Sequence, residues 1–541
     1  MTTLPLTAPN VREALAAMLA ERGVGVLFGL MGDGNMSFVL DCVEQHGLRF
    51  VNARHETAAV LMADGYARAS GRLAAVTVTH GPGLAAAGLG LGVAAEAHAP
   101  LLVVAGDTGR PEALHVQRFD QETFAHALGT TVVSLRSGTA AVETLQRALT
   151  QAAAAGPVVL SLAVDVQEER ATSGAAASSA PPFVAAAPIA EESSIAALAQ
   201  ALAQAQRPVL LVGRGARHAA DAVARLAERS NALLGTSVHG HGLFSGHRRD
   251  VGVIGGLSRE ATRTALADAD LVIAFGASLN RFTTDFGRIA PRARWACVSL
   301  ADAGTSFQVP LAHRVHGDAQ QVVARLQALL PSSTSGAWTS AELDALAAES
   351  PIEPRPEGCD GVDPRVFCRA VNRRLPPNRT EVVGVGHFGG FAALASRLDA
   401  DGLFLAPWEF GSIGVAVPIA TGAALARPER LTVAWEGDGS LLASLGELET
   451  LARSGANVFV IAMDDGAYLA EVRKLRLAGR RTELARFGRS DLAGVARSLG
   501  LRAATVRDDR DTEAALDALL ATSGPALLHV HVDPDVHQAV F

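Results

Sequence analysis

The feature that most constrains this chain is an aspartate between two glycines, placed where an apolar run changes into a run of helical period. Asp438 lies in the sequence GDGS at 437–440, after the apolar residues 431–435 and before residues 441–453. This order predicts a turn from a buried strand to a helix. At such a turn the free N–H groups of the helix start face an anion, and a carboxylate can bind a hard cation.

An acidic pair follows in a second, similar position. A strand predicted over 458–463 leads directly into Asp464 and Asp465. The carboxyl ends of neighbouring parallel strands lie at one edge of a sheet, where α/β proteins bind their ligands. Magnesium prefers hard oxygen donors such as carboxylates. The sequence therefore predicts a site for magnesium and a diphosphate at this edge.

The series of strand, GDG turn, helix, strand and acidic pair resembles the thiamine diphosphate (ThDP) motif of the family that includes acetolactate synthase and pyruvate decarboxylase. Family members usually carry Asn-Asn where this chain has the acidic pair. An aspartate at the second position adds a negative charge, but a carboxylate is at least as good a magnesium ligand as an amide. The resemblance implies magnesium ligands and cofactor contacts as follows: Asp438, Asp465 and the Ala467 carbonyl for the metal; Gly437, Gly439 and Ser440 for the cofactor.

A second motif lies near the amino terminus. Residues 54–68, RHETAAVLMADGYAR, are similar to the family's RHE…ADGYAR segment almost residue for residue. The resemblance implies that Glu56 faces the aminopyrimidine ring of ThDP and helps the cofactor lose the proton on its thiazolium carbon. Such a carboxyl group needs a mostly apolar environment, in which water does not short-circuit the proton exchange.

Three turns in the same part of the chain carry candidate substrate residues. FGLMGDGN (28–35) is similar to a turn of the pyruvate decarboxylase branch and implies Asp33 as an active-site acid. His80 precedes a GPG turn. Gln117 lies in a stretch that resembles FQExD of acetolactate synthases, and His115 lies beside it, where decarboxylases carry a His-His pair. Each histidine is either a substrate contact or a hydrogen-bonded structural residue.

Four further candidates lie in the last third of the chain. GSIG at 411–414 resembles a turn of pyruvate decarboxylase, which implies Ile413 as the prop that bends ThDP and the Gly411 carbonyl as an acceptor. His387 follows a predicted strand and either contacts the diphosphate or caps a helix. Glu471 has the spacing of a catalytic glutamate of pyruvate decarboxylase, or is a solvated helix acid near Lys474.

Continuous apolar runs such as 101–105 and 208–213 alternate with helical stretches, which predicts doubly wound parallel sheets. Two stretches are rich in Ala, Ser and Pro, which predicts interdomain linkers. They run from Glu168 to Ser194 and from Pro331 to Val362. Together with the resemblance they predict three α/β domains, each with a doubly wound parallel sheet: pyrimidine-binding (1–167), central (190–330) and diphosphate-binding (360–541).

The net charge of −8 without a basic block argues against nucleic acid and against an anionic membrane as partners. The four cysteines are scattered, which favours a reduced, cytoplasmic setting. The first twenty or so residues lack the apolar core and cleavage site of a signal peptide. The apolar stretch 84–105 contains Glu96, His98 and Pro100, so we expect a buried helix and strand there.

The resemblance implies a ThDP- and magnesium-dependent enzyme that removes carbon dioxide from a 2-oxo acid. The remaining fragment is either coupled to a second carbonyl, favoured by Gln117 and the whole-chain pattern, or protonated to an aldehyde, favoured by Asp33, the GSIG turn and Glu471. We place the coupling reaction slightly ahead. A catalytically silent ThDP-fold protein is a third possibility, against which Glu56 argues.

The resemblance also implies that Glu56 of one subunit meets the Asp438 site of another. A homodimer or homotetramer with active sites at the subunit interface is therefore expected. FAD binding is doubtful, because the stretch around Arg281 departs from the pattern of acetolactate synthases that bind FAD.

Overall fold

The computed structural model describes residues 9–112, 114–173, 188–300, 308–332, 334–348, 351–355 and 359–537. They form three six-stranded sheets in which the strands alternate with helices, and every recorded strand pairing is parallel. The predicted fold class is confirmed. Two compact units result: Met1–Val184 with Thr380–Gly386 and Pro407–Val532, and Ala185–Arg379 with His387–Ala406 and Asp533–Phe541. Among the described residues, no helix is both long and apolar enough to cross a membrane.

The first sheet has the strand order β2-β1-β3-β4-β6-β5. Adjacent residues of β1, Leu27 and Phe28, belong to different apolar clusters, so helices cover both faces of the sheet. The stretch 84–105 forms buried helices and a strand, as expected. The elements are β1 (Val26–Gly29), β2 (Arg49–Asn52), β3 (Ala74–Val78), β4 (Leu101–Asp107), β5 (Thr131–Leu135), β6 (Val158–Ala163), α1 (Val11–Glu21), α2 (Met36–Leu40, continued as a π-turn over Asp41–Gln45), α3 (Glu56–Ser70), α4 (Pro82–Ala86), α5 (Gly88–Glu96), α6 (Gln121–Ala127), α7 (Ala141–Ala155) and α8 (Val164–Gln167).

The second sheet has the order β12-β11-β10-β7-β8-β9, and it too is covered on both faces. Its elements are β7 (Pro208–Val212), β8 (Leu233–Thr236), β9 (Asp250–Val253), β10 (Leu271–Phe275), β11 (Arg294–Ser299), β12 (Leu311–His316), α9 (Glu192–Gln204), α10 (Ala220–Ser230), α11 (Glu260–Leu266), α12 (Ala319–Leu329), α13 (Ser340–Ala347) and short 3-10 helices at Arg214–Ala219 and Val238–Gly240.

The predicted linkers lie partly outside the described residues, at 174–187, 333, 349–350 and 356–358. The second one is not simply a linker, because it contains α13. Thr339 and Glu342 cap this helix reciprocally, and Leu343 packs with Trp338 in the core of the second sheet. The composition of the stretch concealed a helix whose apolar residues are few but buried.

The third sheet has the order β14-β13-β15-β16-β18-β17. Residues 441–453, predicted as one helix, belong to two helices, because the chain leaves helical geometry at Ser444 (φ −127°). The elements are β13 (Thr380–Val383), β14 (Leu403–Leu405), β15 (Thr432–Gly437), β16 (Val458–Asp464), β17 (Arg502–Val506), β18 (Ala526–His531), α14 (Pro364–Arg374), α15 (His387–Ala395), α16 (Ala416–Ala426), α17 (Asp438–Ala443), α18 (Glu447–Ser454), α19 (Leu469–Leu477), α20 (Leu492–Ser498), α21 (Thr512–Leu520) and 3-10 turns at Glu483–Ala485 and Asp509–Asp511.

Helices α3 and α16 meet backbone to backbone inside the first compact unit. A Cβ atom on Gly65 would lie 2.0 Å from the Ile419 carbonyl oxygen, and one on Gly422 would lie 1.7 Å from the Met62 oxygen. Only glycine fits at both places. The helix that begins at Glu56 is therefore fixed against a helix of the third sheet.

Candidate active site

Two neighbouring strands of the third sheet end in buried carboxylates. Asp438 is the first residue of α17, directly after β15, and Asp464 is the last residue of β16. Asp438 and Asp464 are 4% and 0% exposed. The N–H of Gly466 donates to both, at 3.0 Å to Asp438 Oδ2 and 3.0 Å to Asp464 Oδ1. The GDG turn and the acidic turn are therefore linked directly, and Asp465 lies between Asp464 and Gly466 on the chain.

The acidic side chains at this edge differ in charge. Burial, then repulsion by its acidic neighbours, raises the pKa of Asp438, and the same two causes raise the pKa of Asp465 to about 7. Burial alone would also raise the pKa of Asp464, but hydrogen bonds from His529 and Asp438 hold it below its ordinary value. Arg489 adds its positive charge. Asp464 therefore keeps its charge near neutral pH, whereas Asp438 favours its protonated form and Asp465 is close to the midpoint of its titration.

His529 is the partner of Asp464 that the sequence did not reveal. Its Nε2 lies 2.7 Å from Asp464 Oδ2, and its ring is 1% exposed. His531 joins them, with ligand atoms of the three residues within 4.8 Å of one another. Arg489 Nε lies 3.5 Å from Asp464 Oδ1. We interpret Asp464 as a structural residue, because a histidine and an arginine already contact its two carboxylate oxygens.

The donor set at this edge fits a hard divalent cation. Asp438 and Asp465 supply carboxylate oxygens, and Asp465 Oδ1 accepts from the N–H of Ala467 at 3.1 Å, which orders the turn. A bound cation would relieve the repulsion between these two carboxyl groups, of which Asp438 is buried and Asp465 is half-buried. Their environment therefore suits the magnesium ion that the resemblance implies.

The turn at 437–440 packs tightly. A Cβ atom on Gly439 would lie 2.6 Å from the Tyr468 ring and 3.0 Å from the Phe487 ring. The two rings meet edge to face, with centroids 5.1 Å apart. Gly437 is the N-cap of α17 and offers no side chain to its free N–H groups. The Gly439 N–H faces the Asp438 carboxylate, and no N-cap side chain occupies the other N–H groups of the helix start.

Glu436, just before this turn, connects it to the GSIG turn. The Ser440 hydroxyl donates to the Glu436 carboxylate, and Ser440 Oγ accepts from the N–H of Gly414 at 2.9 Å. Glu436 Oε1 also accepts from the N–H of Ala416 at 2.8 Å. Burial raises the pKa of Glu436 to about 7. Sequence reasoning missed this residue, although a glutamate inside an apolar strand run was a usable signal.

The residues of the GSIG turn itself are open to solvent. Ile413 is 38% exposed, and Gly411 has φ +76°, in the left-handed region. The hydrogen bond from Gly414 to Ser440 is thus the tie between this turn and the acidic edge. Ile413, the predicted prop residue, is therefore next to a residue that is hydrogen-bonded to the predicted diphosphate turn at 437–440.

Three turns converge at the edge of the first sheet. The N–H of Gly34 donates to Thr79 Oγ1 at 3.1 Å. A Cβ atom on Gly34 would lie 2.8 Å from the His80 ring. A Cβ atom on Gly81 would lie 1.9 Å from the backbone carbonyl oxygen of Gln117. The segments that carry Asp33, His80 and Gln117 are thereby in contact, although they are distant in sequence.

His80 and His115 form a pair. Their rings meet edge to face with centroids 5.4 Å apart. His80 is 4% exposed, and its Nδ1 has no hydrogen-bond partner among the described residues. His115 Nδ1 accepts from the N–H of Gln117 at 3.1 Å, and its Nε2 lies 3.7 Å from the Glu112 carboxylate. The sequence placed each histidine near a turn but did not predict that the two rings touch.

The remaining candidates lie on three other helices. Glu56 is the half-buried first residue of α3 and follows His55, whose Nδ1 accepts from the N–H of Thr57 at 3.2 Å. Glu471 is exposed on α19 and pairs with Lys474 at 3.1 Å. His387 begins α15 in the other compact unit, where it is buried against Phe391 and His537.

Three family models match the chain in order. They are the N-terminal TPP binding domain of thiamine pyrophosphate enzymes (residues 9–128), their central domain (195–326) and their C-terminal TPP binding domain (384–530). Thiamine pyrophosphate is the compound called ThDP above. The models therefore match part of each of the three sheets.

Similar proteins span nearly the whole chain. The large subunit of acetolactate synthase isozyme 1 of Escherichia coli is 27% identical over 97% of this chain and 94% of its own. Sulfoacetaldehyde acetyltransferase of Alcaligenes xylosoxydans is 26% identical over 93% of this chain and 89% of its own. The solved structure of a thiamine diphosphate-dependent 4-hydroxybenzoylformate decarboxylase of Rhodococcus jostii RHA1 superposes with a TM-score of 0.82 at 22% identity, covering 97% and 99% of the two chains. The chain belongs to the thiamine pyrophosphate enzyme family.

Proposed function

We propose that this protein is a ThDP- and magnesium-dependent enzyme that removes carbon dioxide from a 2-oxo acid and couples the remaining fragment to a second carbonyl compound. The observation that carries the proposal is the acidic edge of the third sheet, where the buried Asp438 and Asp464 share the N–H of Gly466 and Asp465 lies between Asp464 and that N–H along the chain. That edge lies within the match to the C-terminal TPP binding domain.

The residues of this edge have separate tasks in the proposal. Asp438, Asp465 and the Ala467 carbonyl hold magnesium, and the free N–H groups at the start of α17 face the diphosphate. Ser440 and Glu436 keep the GSIG turn, with Ile413, against this edge. Bound ThDP supplies the carbon that attacks the 2-oxo acid and accepts the electron pair released as carbon dioxide leaves.

Glu56 holds and exchanges a proton at the aminopyrimidine ring. Its half-buried position at the start of α3 is compatible with a carboxyl group that contacts a ligand on one side. We further propose that the Glu56 of one subunit serves the Asp438 edge of another, so that the active unit is at least a dimer.

A second candidate function, release of an aldehyde, is favoured by the contact between His80 and His115. From the sequence we expected protonation of the fragment to be slower than its coupling, because one histidine stands where the decarboxylases carry a His-His pair. Two imidazoles nevertheless meet here, and a buried histidine can deliver a proton near neutral pH. Coupling stays the first proposal, since Gln117 lies beside Gly81 at the same edge and acetolactate synthase large subunits match nearly the whole chain.

The test is to incubate the purified protein with ThDP, magnesium and a panel of 2-oxo acids, and to identify the products by NMR. We expect mainly the coupled 2-hydroxy-3-oxo acid, formed without added FAD. Free aldehyde as the dominant product, lost on Glu471→Gln or His115→Ala substitution, would establish the second candidate. Binding of ThDP without turnover of any 2-oxo acid would contradict both.

A further inference from the structure

The loop that leads into Glu56 is held by a helix of the third sheet. Glu447, the first residue of α18, is 2% exposed. Its Oε1 accepts from the backbone N–H of Arg54 at 3.1 Å, and the backbone N–H of His55 faces the same carboxylate closely enough to lower the pKa of Glu447, although burial raises that pKa more. One buried side chain therefore holds the Arg54 N–H and faces the next N–H before Glu56, and all of these residues belong to the same compact unit.

Exposed contacts surround this buried one. The Arg54 guanidinium pairs with Glu449 at 2.7 Å, and Arg453 donates to the Asn52 carbonyl at 2.6 Å. Both contacts join α18 to the same loop. Exposed ion pairs contribute little to stability, whereas a buried N–H that loses its acceptor is costly. Glu447 is therefore the contact on which the geometry of the loop depends most.

Position matters at Glu56 because proton exchange requires hydrogen-bond distance. Helix α3 is fixed at its middle by Gly65 and Gly422, but its first residue follows a loop. If the acceptor at 447 is removed, the N–H groups of Arg54 and His55 must turn toward water. Glu56, one residue further on, then moves with them.

We infer that Glu447 is a positioning residue, which sets Glu56 for proton exchange with the aminopyrimidine ring and contributes little to the affinity for ThDP. The inference rests on the proposed role of Glu56. It also means that a helix following the metal-binding turn of one chain determines the place of the activating glutamate of that chain.

The experiment compares Glu447→Ala with Glu447→Gln and with a control on the same helix, Glu449→Ala. Three quantities are measured: amide hydrogen–deuterium exchange of residues 52–57 without cofactor, the Kd of ThDP with magnesium, and hydrogen–deuterium exchange at the thiazolium carbon of bound ThDP. For Glu447→Ala we expect faster amide exchange, a nearly unchanged Kd, and exchange at the thiazolium carbon slowed about 100-fold. Glu447→Gln keeps an acceptor oxygen and should restore most of the rate. Glu449→Ala should resemble the wild type in all three.

A wild-type exchange rate at the thiazolium carbon in Glu447→Ala would overturn the inference, and so would a loss of ThDP affinity as large as the loss of rate. If Glu447→Ala does not fold, Glu447→Asp, which withdraws the carboxylate by one methylene, takes its place in the comparison. Glu56→Gln is measured in parallel. If it leaves the exchange rate unchanged, the proposed role of Glu56 fails; if it slows exchange and Glu447→Ala does not, only this inference fails.

Discussion

The two strand edges that carry the candidate residues are built in opposite ways. At the edge of the third sheet, Asp438 and Asp464 are buried and Asp465 is half-buried beside them, and burial and mutual repulsion raise the pKa of Asp438 and of Asp465. At the edge of the first sheet, the turns meet through glycine, and the ring of His80 packs on that of His115. The first arrangement offers carboxylate oxygens of the kind that bind a cation, whereas the second presents imidazole groups that can move a proton.

This difference assigns cofactor binding to the edge of the third sheet and proton transfer to bound substrate to the edge of the first sheet. Changes at the third-sheet edge should act on the affinity for magnesium and ThDP, since the carboxylates there are arranged for a cation. Changes at the first-sheet edge should act on what becomes of the bound substrate. Substitutions at the two edges test whether cofactor binding and the reaction of bound substrate separate in this way.

The largest expected effect is loss of cofactor binding in Asp438→Ala. The substitution removes a buried carboxylate that no neighbour replaces, so we expect magnesium-dependent ThDP binding to disappear in a fluorescence or calorimetric titration. Asp465→Asn, which installs the usual family residue, should retain binding because the amide oxygen still coordinates. Equal loss in both variants would show that Asp465 does something other than bind the metal.

The next effect concerns the contact that joins the two edges. Gly422→Ala places a methyl group 1.7 Å from the Met62 carbonyl oxygen, so the backbones of α3 and α16 must separate. We expect destabilisation of about 3 kcal/mol, seen as a lower Tm. Gly25→Ala is the control, because a Cβ atom there has no neighbour within 4 Å. An unchanged Tm in Gly422→Ala would contradict the close approach of the helices.

A smaller effect is a pH dependence specific to the third-sheet edge. Burial raises the pKa of Asp465 to about 7, so magnesium must displace a proton below that pH. We expect the affinity for magnesium and ThDP to rise with pH through about 7 as Asp465 loses its proton, and to rise further as Asp438 does. The proton on Asp465 stabilises the cofactor-free fold at low pH, and that contribution is lost as pH rises through about 7. In Asp465→Asn this part of both profiles should disappear; an unchanged profile would place the titrating group elsewhere.

The smallest effect is expected at the exposed ion pair near the same edge. Lys474 and Glu471 are 71% and 55% exposed, so water screens their attraction. Lys474→Ala should change the free energy of unfolding by less than about 0.5 kcal/mol. A loss comparable to that of Gly422→Ala would mean that Lys474 has a buried partner in the assembled enzyme.

The features that the sequence predicted correctly are strands and turns, which depend on residues close together along the chain. The apolar run before the GDG turn predicted a strand, and β15 ends at Gly437 with Asp438 opening a helix. The strand predicted over 458–463 extends to Asp464, which is why that carboxylate is buried rather than part of the turn. Apolar continuity and turn residues fix such features within a few positions of the chain.

The contacts that the sequence did not reveal join residues that are far apart along the chain. His529 meets Asp464 because β16 and β18 are neighbours in register, and no pattern near either residue indicates this. The contact of His80 with His115 and the acceptor role of Glu447 arise in the same way. The break between α17 and α18 was concealed because Leu441, Leu448 and Leu451, all buried, keep a helical spacing across it.

The measurement that tests the central claim most directly is hydrogen–deuterium exchange at the thiazolium carbon of ThDP bound to Glu56→Gln. An amide cannot exchange the proton that activation needs, so we expect ThDP to bind with nearly wild-type affinity and the exchange rate to fall at least about 100-fold. Exchange at the wild-type rate in the cofactor-saturated variant would contradict the account, because Glu56 would then have no part in activating a cofactor held at the third-sheet edge.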